Sequence, residues 1–251
     1  MVNINDITEK REILYSLAPF SEGVKALKRK SDLLDFAFSD LRLYGSALTK
    51  EGVRKILDGV TLREAPVFEH RLCEAHRKLL SKFADKTDMG LEVDSIILNE
   101  FCGILSGKDT PGFREGSPLL YHLDFVPGDD ERISSDLSEV FARIRRDEAN
   151  GAFDERAGGD FCLKAAALHM GIVKVYPYAG GFSELTARAA MQYTLVKNGY
   201  FPVDPGMTET EYNTVTSDSV RSGDASGFAD ALRTAVFKKL HYLIDSVGRA
   251  I

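Results

Sequence analysis

The sequence predicts a mostly α-helical protein with one short β-hairpin. Apolar residues recur at helical spacing, with charged residues between them, through residues 5–40, 64–83 and 94–105. This is the pattern of amphipathic helices. The periodicity breaks across residues 110–128, where Pro-Gly pairs and short apolar runs favour a loop with a short hairpin. With 251 residues, of which 44% are hydrophobic, the chain can bury the core of one large domain or of a domain with a helical extension.

The helical pattern indicates two regions. Residues 1–60 contain two helices within 5–40, followed by a short helix that is capped by Thr49 and runs to Leu57. Residues 61–251 form the larger core. Its predicted elements are helices over residues 64–83, 94–105, 136–147, 161–175 and 183–198, a linker over residues 150–159, and closing helices after residue 200.

Composition excludes several classes of function. The net charge of −6 argues against nucleic-acid binding, which requires basic surface. An apolar run of membrane-spanning length is absent from the sequence, and its first residues lack the pattern of a signal peptide, so we expect a cytoplasmic protein without a membrane partner. The three cysteines, Cys73, Cys102 and Cys162, lie in apolar segments and are expected to be reduced core thiols that form no metal site.

A helix-loop-helix lies at the centre of the core. Asp160 is the predicted N-cap of its first helix and Ser183 that of its second. The intervening loop contains Gly180 and Gly181 and ends at a helix N-terminus, where free N–H groups and the helix dipole attract anions. A plain turn between two packed helices explains the same two glycines, so both interpretations stay open.

The stretch from His169 to Tyr200 resembles the signature of the Fic (Fido) domain, H-x-x-F-x-x-I-H-P-F-x-D/E-G-N-G-R-x-x-R. Pro177 and Tyr178 match its Pro and Phe, Gly181 matches its first Gly, and Arg188 its second Arg. The order of the remaining segments matches as well. The resemblance therefore implies a Fic-like helical bundle whose hairpin is a flap over the motif loop, which we define as residues 176–188.

The resemblance also implies a chemistry. In the Fic family the motif loop cradles the phosphates of a nucleotide, usually ATP with Mg²⁺, and AMP is transferred to a hydroxyl of a target protein. The motif His is the general base, an acidic residue holds the metal, and the arginines meet phosphates. Carried over by position, the implied phosphate-binding residues are Gly180, Gly181, Phe182, Ser183 and Arg188.

The motif departs from the family pattern where catalysis needs it most. Tyr176 stands at the position of the catalytic His, and Ala179 or Gly180 at that of the acidic residue. A phenol with a pKa of about 10 is a poor base beside an imidazole at about 6.5, and loss of a base costs roughly 10²–10⁴ in rate. Tyr176 is either an acid or covalent catalyst or a core tyrosine with a hydrogen-bonded hydroxyl. Glu184 is either a displaced metal ligand or a carboxylate that the helix dipole stabilises in the first turn of a helix.

Two further segments are similar to parts of Fic proteins. In the family a Glu of an inhibitory helix, four residues after a Ser or Thr, pairs with the second Arg of the motif. Here Asp40 and Tyr44 fall on the Ser/Thr and Glu positions, so the blocking carboxylate is expected to be absent. In the flap, Arg114, Leu119 and Tyr121 are implied to align a target segment by strand addition. His122 is expected to be a half-exposed strand residue and not a base.

Three hypotheses of function follow. The first is a divergent Fic protein in which adenylyl transfer is weak or lost and which binds a nucleotide-like anion or a protein partner. The second is an active nucleotidyl or phosphoester transferase with altered catalytic residues. The third is a purely structural helical interaction module. The sequence carries no prediction of oligomeric state.

Overall fold

The computed structural model describes residues 2–154 and 159–248; residues 155–158 of the predicted linker and residues 249–251 of the predicted core lie outside them. Within the described ranges all regular secondary structure is helical, which confirms the predicted mostly helical fold. None of the described helices is long and apolar enough to cross a bilayer. The α-helices are α1 Ile4–Ser16, α2 Glu22–Leu43, α3 Lys50–Leu57, α4 Val67–Asp88, α5 Ser95–Ser106, α6 Ile133–Ala149, α7 Phe161–Val175, α8 Phe182–Lys197, α9 Glu209–Ser222 and α10 Ser226–Gly248.

Helices α7 and α8 form the central pair, and most of their residues are buried. Helices α4 and α5 pack against α8, and α6 packs against α7. On another side, α9 and α10 pack against α7, while α1 packs along α10 and α2 lies against α4. Two apolar clusters result, and both include residues of α7 and α8. The loop between α7 and α8 is therefore held by the most buried elements of the fold.

The predicted helix starts are confirmed at two places and wrong at one. Thr49 caps α3 by accepting a hydrogen bond from the Gly52 amide at 3.1 Å, and Asp160 caps α7. Helix α8, however, begins at Phe182 with Gly181 as its N-cap. Ser183 does not cap it, because its hydroxyl is engaged inside the loop: it accepts from the Tyr178 amide at 2.6 Å and donates to the Tyr178 carbonyl at 2.7 Å.

The predicted hairpin in residues 110–128, the flap segment, is wrong. All of these residues are described, and none of them is in a strand. The three prolines of the segment lack the N–H that a ladder needs. Amides that remain are used for tertiary contacts: Arg114 donates to the Pro177 carbonyl at 2.8 Å and Asp124 to the Ser217 hydroxyl at 2.9 Å. The flap segment is therefore an irregular cover that is fastened to the motif loop and to α9.

The cysteines are buried, as predicted from their apolar surroundings. Cys73 and Cys102 are free thiols. Burial raises the pKa of Cys73 to about 12 and that of Cys102 to about 11. Both therefore stay protonated at neutral pH and are poor nucleophiles.

Candidate functional site

The chain reverses between α7 and α8 through three residues with positive φ. Gly180 and Gly181 have φ of 65° and 80°, which glycine adopts without strain. Tyr176 has φ of 51° and is the one non-glycine residue of this kind in the described chain; the conformation costs an L-residue about 1–2 kcal/mol. Gly181 offers no side-chain cap to α8. The first amides of α8 therefore lack a capping side chain at the end of the loop.

Arg114 holds this reversal in place. Its Nε donates to the Tyr176 carbonyl at 2.7 Å and its Nη2 to the Gly128 carbonyl at 2.6 Å, and a further bond runs to the Gly116 carbonyl. The residue is buried. Arg114 is therefore buried against the loop and is not on the surface. Its guanidinium donates hydrogen bonds to carbonyls at the C-terminal end of α7.

A buried ion pair joins α8 to α2. Arg188 Nε donates to Asp40 Oδ1 at 2.7 Å, and both side chains are 1% exposed. The other carboxylate oxygen lies 2.8 Å from His76 Nε2, and His76 Nδ1 contacts the Leu72 carbonyl at 2.7 Å. Burial by itself would raise the pKa of Asp40, but Arg188 and His76 outweigh it and hold that pKa below its usual range.

The position expected to lack a carboxylate is that of Tyr44; the carboxylate that meets Arg188 is that of Asp40. Asp40, aligned with the Ser/Thr position, lies in the last turn of α2, four residues before Tyr44, which is the C-cap of that helix. Its carboxylate contacts the Arg of the motif directly. Helical spacing was the signal that identifies Asp40, because residues four apart in a helix present their side chains to the same neighbour.

Tyr44 covers the two glycines of the loop. Its Cε2 lies 2.8 Å from the position that a Cβ on Gly181 would take, and its hydroxyl donates to the Gly180 carbonyl at 3.3 Å. The ring also packs against Phe68, with ring centroids 5.2 Å apart. Asp40 and Tyr44 together close the motif loop from the α2 side.

Glu184, in the first turn of α8, connects the motif loop with the flap segment. Its Oε1 accepts from the Tyr176 hydroxyl at 3.1 Å and lies 2.8 Å from His122 Nε2. Burial, with the Glu184 charge, raises the pKa of Tyr176, so the phenol stays protonated. Burial opposes ionisation of Glu184, but the hydrogen bond with His122 and the charge of Arg188 hold its pKa below the usual range.

Comparison with known proteins gives matches only among solved structures: no family model matches the sequence, and no curated protein does. A Fic domain containing signaling protein from Bacteroides thetaiotaomicron VPI-5482 is similar with a TM-score of 0.80 at 16% identity, over 97% of this chain and 98% of that chain. A Fic-1 fragment from C. elegans gives 0.73 at 15% identity, over 98% and 73%. A Fic family protein from Desulfovibrio desulfuricans G20 gives 0.61 at 15%, over 95% and 74%. This chain has the Fic fold.

Within this Fic fold, the motif loop provides no cluster of side-chain ligands for a magnesium ion. No group of three His, Cys, Asp or Glu side chains in the described residues is arranged to hold a metal. Ala179 and Gly180 offer no side-chain oxygen. The carboxylate of Glu184 is bound to His122 and Tyr176. A role of Glu184 as a metal ligand therefore has no support from neighbouring ligands.

His169, seven residues before Tyr176, is a core residue. His169 stacks on Phe228 with the ring planes 7° apart, and its Nε2 accepts from the Tyr212 hydroxyl at 3.0 Å. That hydroxyl in turn accepts from Arg188 Nη1 at 3.2 Å. Burial lowers the pKa of His169 to about 3, so the ring is neutral at physiological pH. His169 therefore holds the Tyr212 hydroxyl in place, and that hydroxyl in turn holds Arg188 Nη1.

The remaining predicted docking residues lie on the surface of the flap segment. Leu119 is 77% and Tyr121 91% exposed. His122 follows directly, and its side chain is 41% exposed although its ring reaches Glu184. The sequence predicts no part for His122 in the site, because a contact between residues 62 positions apart leaves no local pattern.

Proposed function

We propose that this protein binds the phosphate groups of a nucleotide at the motif loop, and that it transfers adenylyl groups to protein hydroxyls weakly or not at all in the closed form described above. The observation that supports binding is an arginine nitrogen, unpaired within the described chain, in the second turn of α8, the helix that the motif loop leads into. Gly181 leaves the N-terminus of α8 without a side-chain cap, and Arg188 Nη2 has no hydrogen-bond partner among the described residues. An uncapped helix N-terminus and an arginine N–H each favour phosphate oxygens.

The closed form accounts for weak transfer. Asp40 neutralises the charge that a phosphate would meet, and the Tyr44 ring covers Gly181. A nucleotide must therefore displace the side chains of Asp40 and Tyr44 before its phosphates reach the amides of the motif loop. The Tyr176 phenol, protonated at neutral pH, is no substitute for an imidazole base.

The test is a calorimetric titration with ATP of the protein and of Tyr44→Ala. Tyr44 is 41% exposed, so its truncation opens the loop with little loss of core. We expect Tyr44→Ala to bind ATP at least tenfold more tightly than the parent protein. When Asp40→Asn and Arg188→Gln are introduced together into the Tyr44→Ala protein, the gain in ATP affinity should be lost, because the Arg188 charge is no longer there for the phosphates. Failure of Tyr44→Ala to bind millimolar ATP contradicts the proposal.

A second candidate function is the docking of a protein partner on the flap segment. The observation in its favour is the exposure of Leu119, Tyr121 and Val126, at 77%, 91% and 82%. Tyrosine with neighbouring aliphatic side chains is typical of interface centres. Tyr121→Ser should abolish retention of a partner, whereas Ile96→Ser, at a residue 75% exposed on α5, should not. Equal retention by both variants excludes the flap segment as the docking site.

A further inference from the structure

An imidazole lies at the motif loop although the loop itself has lost its histidine. His122 reaches the site from the flap segment, and its Nε2 lies 2.8 Å from Glu184 Oε1. The same oxygen accepts from the Tyr176 hydroxyl at 3.1 Å. Glu184 therefore links the position where the motif His would stand to an imidazole from another segment. A base held by a carboxylate is a common arrangement for general-base catalysis.

We infer that His122 is the general base for hydroxyl attack on a nucleotide bound at the motif loop, and that Glu184 is its positioning residue. The inference rests on the proposed function, since the nucleotide supplies the electrophile. Because Glu184 is acceptor-only when ionised, His122 Nε2 donates to it, and the Nδ1 of the neutral ring keeps its lone pair. The His122 side chain is 41% exposed, so a hydroxyl from outside can reach the ring.

The step balances without a metal or a redox partner. His122 Nδ1 takes the proton of the attacking serine, threonine or tyrosine hydroxyl as the oxygen forms a bond to the α-phosphorus of a nucleoside triphosphate. The bond from that phosphorus to the bridging oxygen breaks, and pyrophosphate leaves with the bonding electrons. The imidazolium then returns its proton to water. Water in place of the side-chain hydroxyl gives AMP by the same step.

The surrounding charges set the pH at which His122 works. The charges of Glu184 on α8 and Glu209 on α9 act on the His122 ring, and Arg188 and the Tyr176 hydroxyl act on Glu184. The hydrogen bond to Glu184, opposed by partial burial, raises the pKa of His122 above its ordinary value. A base works in its neutral form, so the rate should rise with pH through that pKa. Glu184→Gln removes the raising charge and should move the rise to lower pH.

The experiment uses the full chain with Tyr44→Ala as the open parent and ATP labelled at the α-phosphate as the probe. Label on the protein and release of pyrophosphate are both measured, and ATP affinity is measured for each variant. His122→Gln should lower the rate by roughly 10²–10⁴ at unchanged affinity. The matched control is His241→Gln, because His241 is also an exposed histidine beside a carboxylate, 3.6 Å from Asp245 on α10. That control should leave the rate unchanged.

The outcomes separate the inference from the function on which it rests. If no variant binds ATP, the proposed function fails and the inference fails with it. If the open parent binds ATP and His122→Gln reacts as fast as the parent, or no variant that binds ATP releases pyrophosphate, only the inference is overturned. A downward shift of the pH profile in Glu184→Gln, with the affinity retained, distinguishes a positioned base from a purely structural histidine.

Discussion

Arg188 of α8 and Asp40 of α2 form an ion pair of 2.7 Å in which both side chains are 1% exposed. The two residues are 148 positions apart in the chain. Taking two charges out of water is costly, and the pair persists because His76 and Tyr212 supply additional hydrogen bonds. The same contact that fastens α2 to the core also occupies the arginine of the motif loop, so stability and access to the site are coupled.

Asp40→Ala should destabilise the protein by about 3–5 kcal/mol, because it leaves Arg188 buried without its counter-charge. Denaturant unfolding followed by circular dichroism measures the change. The matched control is Glu51→Ala, which breaks an ion pair with Arg54 in which both side chains are more than half exposed; it should cost about 0–1 kcal/mol. Similar losses of unfolding free energy in the two variants would mean that the buried ion pair contributes no more to stability than an exposed one.

Acidification should destabilise the protein through His169. Its folded-state pKa is about 3, below the unfolded value of about 6.5. The unfolded chain therefore binds the extra proton between these values, and the free energy of unfolding falls as pH falls through the window, by up to about 1.4 kcal/mol per pH unit from this group. Ring nitrogen NMR at pH 5 should show a neutral His169. A charged ring at that pH contradicts the prediction.

Gly181→Ala should destabilise the protein more than the same change at Gly199. Both glycines have φ near 80°, so the backbone strain of about 1–2 kcal/mol is shared. Only at Gly181 does the new Cβ meet a neighbour, Tyr44 Cε2 at 2.8 Å, whereas Gly199 faces open space. Unfolding free energies of both variants give the comparison, and Tyr44→Ala should remove the excess. An excess that survives Tyr44→Ala would exclude Tyr44 as its cause.

Restoring the motif histidine should not restore transfer. Tyr176→His provides an imidazole, but the acidic position of the motif stays without a side-chain oxygen and Arg188 stays paired with Asp40. We expect no incorporation of label from ATP labelled at the α-phosphate into protein substrates. Measurable AMP transfer by this single variant would contradict the prediction.

The helices and their caps could be predicted from the sequence because their causes are local. Apolar spacing and a polar residue before the first turn are enough to identify α3 after Thr49 and α7 after Asp160. The same local reasoning was wrong at Ser183, whose hydroxyl binds Tyr178 instead of capping α8, and in the flap segment, whose amides bond to Pro177 and Ser217.

By itself, the sequence determined the helical architecture and the central loop, and it predicted that Tyr176 stands at the position of the motif histidine. Only the tertiary structure decided what surrounds that loop: Asp40 on Arg188, and His122 on Glu184. Those contacts join residues 148 and 62 positions apart. Periodicity and capping act within a few residues, whereas a buried charge takes whichever partner the packing of helices brings to it.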